Sequence, residues 1–118
     1  MTKAISILGF GTVASGVARI LWEQCEMVSR RAGCEFDIRH VAVRDASKPR
    51  AAELASGVLT TDWKAAATDP DVEIVLELMG GTTTAREAVL AAIAAGKHVV
   101  TANKALLSEH GEEIFSAA

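Results

Sequence analysis

Residues 4–16 read AISILGFGTVASG, an apolar run followed by a turn rich in glycine. Residues 4–8 have the length and composition of a buried strand, and an amphipathic segment follows the turn. Gly9, Gly11 and Ala14 occupy the small positions of the G-x-G-x-x-G/A fingerprint. The first permits a tight turn, the second lets backbone approach a pyrophosphate, and the third lets helix and strand pack closely. This context predicts a strand–turn–helix unit that binds a dinucleotide, and the alternative is a glycine turn that binds nothing.

The rest of the chain alternates strand-like and helix-like segments, which predicts a parallel sheet with helices on both faces. We expect an α/β fold, a Rossmann-type doubly wound parallel sheet of about five strands in the order 3-2-1-4-5. The predicted strands are 4–8, 36–44, 58–61, 73–79 and 98–101. The predicted helices are 12–31 before Gly33, a short one from Ser47 or Lys48 to Gly57, one after Asp62, 82–95 and 104–118. The predicted buried stripe of the first helix is Val13, Val17, Ile20, Leu21 and Val28.

Composition narrows the class of protein. With 118 residues there is room for one domain, and a net charge of −3 argues against a nucleic-acid-binding protein. No apolar run approaches a membrane span, and the first residues lack the pattern of a signal peptide. Cys25 and Cys34 have no disulfide or metal spacing, so we expect reduced thiols and a cytoplasmic protein. The histidines are too dispersed to suggest a metal site.

Basic side chains follow the predicted second strand, where the adenosine ribose of a dinucleotide would lie. Arg44 could stack on adenine and pair with a 2′-phosphate, and Ser47, Lys48 or Arg50 could add donors. Asp45 could instead form a salt bridge with a neighbouring base. We therefore expect NADP as the cofactor, with NAD possible, and the alternative is a solvated charged turn.

An acid interrupts the apolar run of the predicted fourth strand. Glu77 lies near the carboxyl end of that strand, which borders the crevice where open α/β sheets bind ligands. A buried carboxylate without a partner is costly, so Glu77 either faces the site or is paired. Gly80 and Gly81 would let the backbone pass close to the nicotinamide ribose, and we assign all three residues to the cofactor site. The alternative is an acid at the rim with a turn.

A lysine follows the predicted fifth strand, in the segment Thr101-Ala102-Asn103-Lys104. Asn103 is a natural N-cap for the last helix. A lysine in the first turn works against the helix dipole, which indicates another use for its charge. Lys104 could serve an anionic substrate or the nicotinamide end of the cofactor, or it could be a surface lysine beyond a cap.

Together these segments resemble homoserine dehydrogenase from Ile5 to the end of the chain. The most specific part is the Thr-Ala-Asn-Lys-Ala-Leu sequence that begins at Thr101. Ala14 departs from the glycine expected in that family, but alanine is an accepted third member of the fingerprint. The matching segments are 7–17, 42–45, 77–81 and 99–107.

The resemblance implies an oxidoreductase that interconverts L-homoserine and L-aspartate 4-semialdehyde with NAD(P)(H), on the route to threonine and methionine. It implies that Thr12 and Val13 contact the pyrophosphate region and that Arg44 meets a 2′-phosphate. Lys104 would be the active-site lysine near the nicotinamide. We also assign Phe10, Gly9, Gly11, Lys48, Thr101 and Asn103 to the cofactor site.

The family's substrate-binding and dimerisation region would follow this segment. We therefore expect residues 1–118 to be the NAD(P)-binding domain of a longer, homo-oligomeric enzyme, and to bind cofactor without turnover. Two alternatives remain, a stand-alone dinucleotide sensor and another amino-acid dehydrogenase such as aspartate dehydrogenase. Lys104 discriminates against the sensor, which has no use for a lysine at the nicotinamide end.

Overall fold

The computed structural model of the protein describes residues 2–44 and 58–118. These residues contain one parallel sheet with the strand order β3-β2-β1-β4-β5, which confirms the predicted order and the Rossmann-type fold. The strands are β1 Thr2–Leu8, β2 Glu35–Ala42, β3 Leu59–Thr60, β4 Ile74–Glu77 and β5 His98–Thr101. The helices are α1 Thr12–Glu23, α2 Cys25–Ala32, α3 Trp63–Thr68, α4 Thr83–Ala94 and α5 Lys104–Ala117. The helix predicted from Ser47 or Lys48 to Gly57 lies outside the described residues.

The continuous helix predicted for residues 12–31 is wrong, because it is broken at Gln24. Gln24 has φ −117° and ψ 28°, which is not a helical conformation, although its N–H still donates to the carbonyl of Ile20. Neither glycine nor proline marks this break, so the periodic pattern alone indicated one helix. The predicted end of the segment is confirmed, since Gly33 has the left-handed φ of 75° that favours glycine.

The predicted buried stripe of α1 is also partly wrong. Val13 and Ile20 are 60% and 50% exposed, whereas Ala14 and Ala18 are 1% and 0% exposed. Alanines on the inner face allow α1 to lie close to the sheet, so the larger β-branched side chains occupy the outer face. Leu21 packs partly buried at the edge of this contact.

Small aliphatic side chains fill the core on both faces of the sheet. The helix α1 covers a cluster formed by Ile5, Ile7, Phe10, Ala14, Ala18, Ile38 and Val41. The helices α3 and α4 cover a cluster formed by Leu8, Ala42, Ala66, Ala67, Val72, Val75, Ala88 and Ala92. A third cluster joins α4 to α5 through Ala85, Val89, Leu106 and Ile114. Helices therefore cover both faces, as predicted.

A polar cluster fastens the end of α3 to the sheet near the amino ends of β4 and β5. The Asp69 carboxylate lies 2.6 Å from His40 Nε2 and 3.1 Å from Arg39 Nε, and Lys97 Nζ donates to the Asp69 carbonyl at 2.6 Å. The hydrogen bond from His40, followed by those from the Asp71 amide and from Arg39, lowers the pKa of Asp69 from 3.8 to about 2. The chain turns at residues 69–71, where Val72 N donates to the carbonyl of Asp69.

A buried hydroxyl makes a second link between α3 and the sheet. Ser6 on β1 is fully buried, and its Oγ donates to the carbonyl of Ala66 at 2.7 Å. At the start of α3, which follows Asp62 as predicted, the Asp62 side chain accepts from Ala65 N. In the described part of the chain, no helix is long and apolar enough to cross a membrane.

Candidate functional site

A cleft of about 800 Å³ opens at the carboxyl ends of β1, β2 and β4. The strand β1 pairs with β2 on one side and with β4 on the other. From β1, the strands β2 and β3 follow in one direction across the sheet, and β4 and β5 follow in the opposite direction. Ligands of open α/β sheets bind at such a switch point. The cleft is lined by Gly9, Phe10, Gly11, Ala42, Val43, Arg44, Thr61, Trp63, Leu78, Met79, Gly80, Gly81 and Thr84.

Gly9 lies in this cleft where two chain segments approach each other closely. Its φ is 92°, and a Cβ at this position would lie 3.0 Å from the Leu78 carbonyl oxygen and 3.1 Å from Met79 Cα. Gly9 N donates to the Ala42 carbonyl, and Leu78 N donates to the Leu8 carbonyl. Gly9 therefore satisfies both a conformational and a spatial requirement for glycine.

Gly11 precedes α1 and faces open space. No heavy atom lies within 4 Å of the place where its Cβ would be. Because glycine has no side chain to cap the helix, the amides of the first turn remain available to a ligand. The adjacent Phe10 is 9% exposed and packs in the cluster under α1, which anchors the turn. The start of α1 thus presents backbone donors and a positive helix end to an anion.

Arg44 and Trp63 lie at the β2 side of the larger cleft. Arg44 is exposed just beyond β2, and Trp63 is half-buried against the cluster that contains Leu8 and Ala42. Trp63 therefore covers an apolar edge and also lines the cleft. The predicted contribution of Lys48 to this part of the site falls outside the described residues, as do those of Asp45, Ser47 and Arg50.

Glu77 does not line either cleft. The residue is 0% exposed, and its Oε1 accepts from Thr101 Oγ1 at 2.6 Å while its Oε2 accepts from Met79 N at 2.9 Å. Of the two possibilities that the sequence left open, the structure shows a paired side chain. The partners are neutral donors, and the salt bridges among the described residues do not include Glu77.

Asn103 has two roles, of which the sequence predicted one. Its Oδ1 accepts from Leu106 N at 3.0 Å, which confirms the N-cap of α5. Its Nδ2 donates to the Gly81 carbonyl at 2.7 Å, so the same side chain holds the glycine loop after β4. Capping residues can be recognised from local sequence, but a partner 22 residues away cannot.

A smaller cleft of about 410 Å³ lies beside the first one and contains Lys104. Lys104 is exposed at the first position of α5, and Gly81, with φ 82°, turns the chain nearby. The lining residues are Val13, Leu78, Met79, Gly80, Ala102, Asn103 and Lys104. The structure therefore brings the start of α1, the loop after β4 and the start of α5 to one place.

The profile of the family described as "Homoserine dehydrogenase, NAD binding domain" matches residues 9–118. The chain belongs to this family. It is 48% identical to homoserine dehydrogenase of Synechocystis sp. over 100% of its own length, and 46% identical to that of Corynebacterium glutamicum over 97%. The solved homoserine dehydrogenase of Thiobacillus denitrificans covers the whole chain with a TM-score of 0.91 and 46% identity.

The family assignment confirms the resemblance seen in the sequence and makes a nicotinamide dinucleotide the ligand of the domain. It favours the hypothesis of a homoserine dehydrogenase domain over that of an aspartate dehydrogenase. The chain spans about a quarter of the curated relatives, 27% of the Synechocystis protein and 25% of the Corynebacterium protein. It likewise covers 27% of the Thiobacillus chain.

Proposed function

We propose that the chain binds NADP(H) in a trough that runs from Arg44 to Lys104. The observation that carries this proposal is that Leu78, Met79 and Gly80 line both clefts, so the larger and the smaller cleft adjoin. The adenosine ribose would lie at Arg44, the pyrophosphate against the start of α1, and the nicotinamide beside Lys104. This order follows the direction in which Rossmann-type domains hold a dinucleotide.

The middle of the trough fits a pyrophosphate. The open space at Gly11 gives an anion direct access to the backbone. Phe10 and Gly9 shape the turn, Thr12 and Val13 begin the helix, and the helix dipole favours negative charge there. Because these donors are backbone groups, they suit either NAD or NADP.

The choice of NADP rests on Arg44. A guanidinium can form two charge-assisted hydrogen bonds with a phosphate, whereas the 2′-hydroxyl of NAD offers it much less. Its exposed position at the end of β2 leaves the guanidinium free to reach such a group.

The test of this choice is to measure dissociation constants of NADPH and NADH for the wild-type chain and for Arg44→Ala. We expect the substitution to weaken NADPH roughly 10- to 100-fold, as for loss of a charged hydrogen-bonding partner, and NADH by less than about threefold. Arg30→Ala on α2 is the matched control, because Arg30 is an exposed arginine that lines neither cleft. Equal weakening of both cofactors would refute the 2′-phosphate assignment.

For the whole protein we propose homoserine dehydrogenase activity, with L-homoserine and L-aspartate 4-semialdehyde as substrates. The cofactor supplies hydride transfer, and Lys104 would hold a polar group of the substrate beside the nicotinamide. Hydride transfer needs the substrate aligned with the cofactor. The relatives are about four times as long as residues 1–118, which supports a further substrate-binding region. We also propose that the whole enzyme is a homo-oligomer.

A single preparation of the chain tests whether residues 1–118 bind the cofactor while the substrate-binding residues lie elsewhere in the protein. We expect the 118-residue chain to bind NADPH in a fluorescence titration and to show no homoserine oxidation. Turnover by this chain alone would contradict the proposal that substrate-binding residues lie elsewhere. We also propose a cytoplasmic location, in keeping with the free cysteines Cys25 and Cys34.

A further inference from the structure

We infer that Glu77 is a positioning residue that sets the loop 78–81 relative to Lys104, acting through Thr101 and Asn103. The inference rests on the proposed function, because the loop and Lys104 line the end of the trough assigned to the nicotinamide. It replaces the direct cofactor contact that the sequence indicated for Glu77.

The burial of Glu77 needs an explanation. A carboxyl group that is 0% exposed loses its hydration, and its two hydrogen-bond donors here are neutral. Neighbouring positions of the strand carry Val75 and Leu76, and an apolar side chain of similar size would fill the same space without that loss. What an apolar side chain could not do is accept hydrogen bonds from two different segments.

These two hydrogen bonds orient a third. The hydroxyl of Thr101 donates its only proton to Glu77, so its lone pairs are left to accept from Asn103 N at 3.1 Å. The acceptor at Glu77 therefore fixes the direction of the Thr101 hydroxyl, and the hydroxyl in turn fixes the backbone of Asn103.

This network of hydrogen bonds begins and ends at the loop 78–81. The Asn103 side chain donates to the Gly81 carbonyl at 2.7 Å, while Glu77 accepts from Met79 N at the other end of the loop. Lys104 follows Asn103 directly at the start of α5. The network therefore holds both walls of the smaller cleft, and loss of the Glu77 acceptor would loosen the loop relative to Lys104 while the hydrogen bond from Asn103 to Gly81 remains.

Because Arg44 lies at the other end of the trough, a positioning defect should affect one end of the ligand. The probes are NADPH and 2′,5′-ADP, which contains the adenosine portion but lacks the nicotinamide. For Glu77→Gln and Thr101→Val we expect NADPH binding about fivefold weaker or worse, the scale of one hydrogen bond. Binding of 2′,5′-ADP should remain within about twofold of the wild-type value.

Conservative and matched variants separate positioning from loss of fold. Thr101→Ser keeps the hydroxyl and should retain wild-type NADPH affinity, which makes the Thr101 pair decisive even if Glu77→Gln fails to fold. Ser6→Ala removes another buried hydroxyl, which lines neither cleft, and should lower the free energy of unfolding while leaving both affinities unchanged.

The outcomes are distinguishable. If the wild-type chain binds neither probe, the proposed function fails and the positioning role fails with it. If the wild type binds both, but Thr101→Val and Glu77→Gln weaken the two probes equally or leave both unchanged, the positioning role is wrong and the proposed function stands. Selective loss of NADPH with recovery in Thr101→Ser supports the inference.

Discussion

The carbonyl oxygen of Leu78 lies 3.0 Å from the point that a Cβ on Gly9 would occupy. The contact is with backbone, which cannot rotate away as a flexible side chain could. Beside it, the hydrogen bond from Leu78 N to the Leu8 carbonyl joins the ends of β1 and β4 at the centre of the trough, so the close approach that shapes the site is also part of the sheet.

Gly9→Ala should therefore destabilise the fold, whereas Gly11→Ala should not. A positive φ and a backbone clash together cost about 2–4 kcal/mol, which urea denaturation would reveal as a lower midpoint. Gly11 has φ −89° and open space around it, so alanine there should leave the free energy of unfolding nearly unchanged. Its methyl group should instead obstruct the pyrophosphate and weaken NADPH binding. Similar losses of stability in both variants would contradict this distinction.

Asp69 should make the fold sensitive to acid. Its pKa is about 2 in the folded protein against 3.8 for an unperturbed group, so its ionised form stabilises the fold above pH 3.8. That contribution should disappear as the pH falls from 3.8 towards 2. Urea denaturation at pH 7 and at pH 3 should show a large deficit for Asp69→Asn at pH 7 and a smaller one at pH 3. Asp37→Asn, at an exposed position, should show no deficit at either pH. A deficit of Asp69→Asn that does not depend on pH would contradict the assignment.

Trp63 should report cofactor binding through its fluorescence. It lines the larger cleft beside Arg44, whereas Trp22 lies on α1 outside both clefts. NADPH should change the emission of the wild-type chain, and Trp63→Phe should abolish most of that change. Trp22→Phe should keep it. A ligand-induced change that survives in Trp63→Phe would mean that the ligand does not occupy the adenosine end of the trough.

The alanines on the inner face of α4 should not tolerate enlargement. Ala88 is fully buried against the sheet, and leucine there would displace α4 at a cost of about 1–3 kcal/mol. Ala94 is exposed on the same helix, so Ala94→Leu should change the free energy of unfolding by less than about 0.5 kcal/mol. Thermal and urea denaturation of the two variants would measure the difference. Equal effects would show that α4 does not pack as closely as the structure indicates.

The sequence predicted the fold well because its decisive signals are local. The glycine fingerprint that begins at Gly9, the cap at Asn103 and the end of the segment at Gly33 can each be recognised from residues within a few positions of one another. The family resemblance also rests on contiguous segments, and the family profile confirms it.

The features that sequence reasoning missed depend on distance or on a choice between similar side chains. One of the two partners of Glu77 is 24 residues away on the neighbouring strand, so no local pattern could name Thr101. On α1, close packing against the sheet selected Ala14 and Ala18 for burial, although Val13 and Ile20 are more hydrophobic. Sequence periodicity identifies the hydrophobic faces of a helix, but packing geometry decides which of these faces can lie close to the sheet.

Of the described residues that line the larger cleft, Arg44 is the one with a charged side chain. It is exposed beyond the end of β2, and the core clusters are formed without it. On the proposed assignment, the backbone around Gly9 and Gly11 supplies the affinity common to both cofactors, and an exposed side chain chooses between them. Cofactor preference in this lineage could therefore evolve by substitution at Arg44 with little change in stability, because exposed positions tolerate substitution.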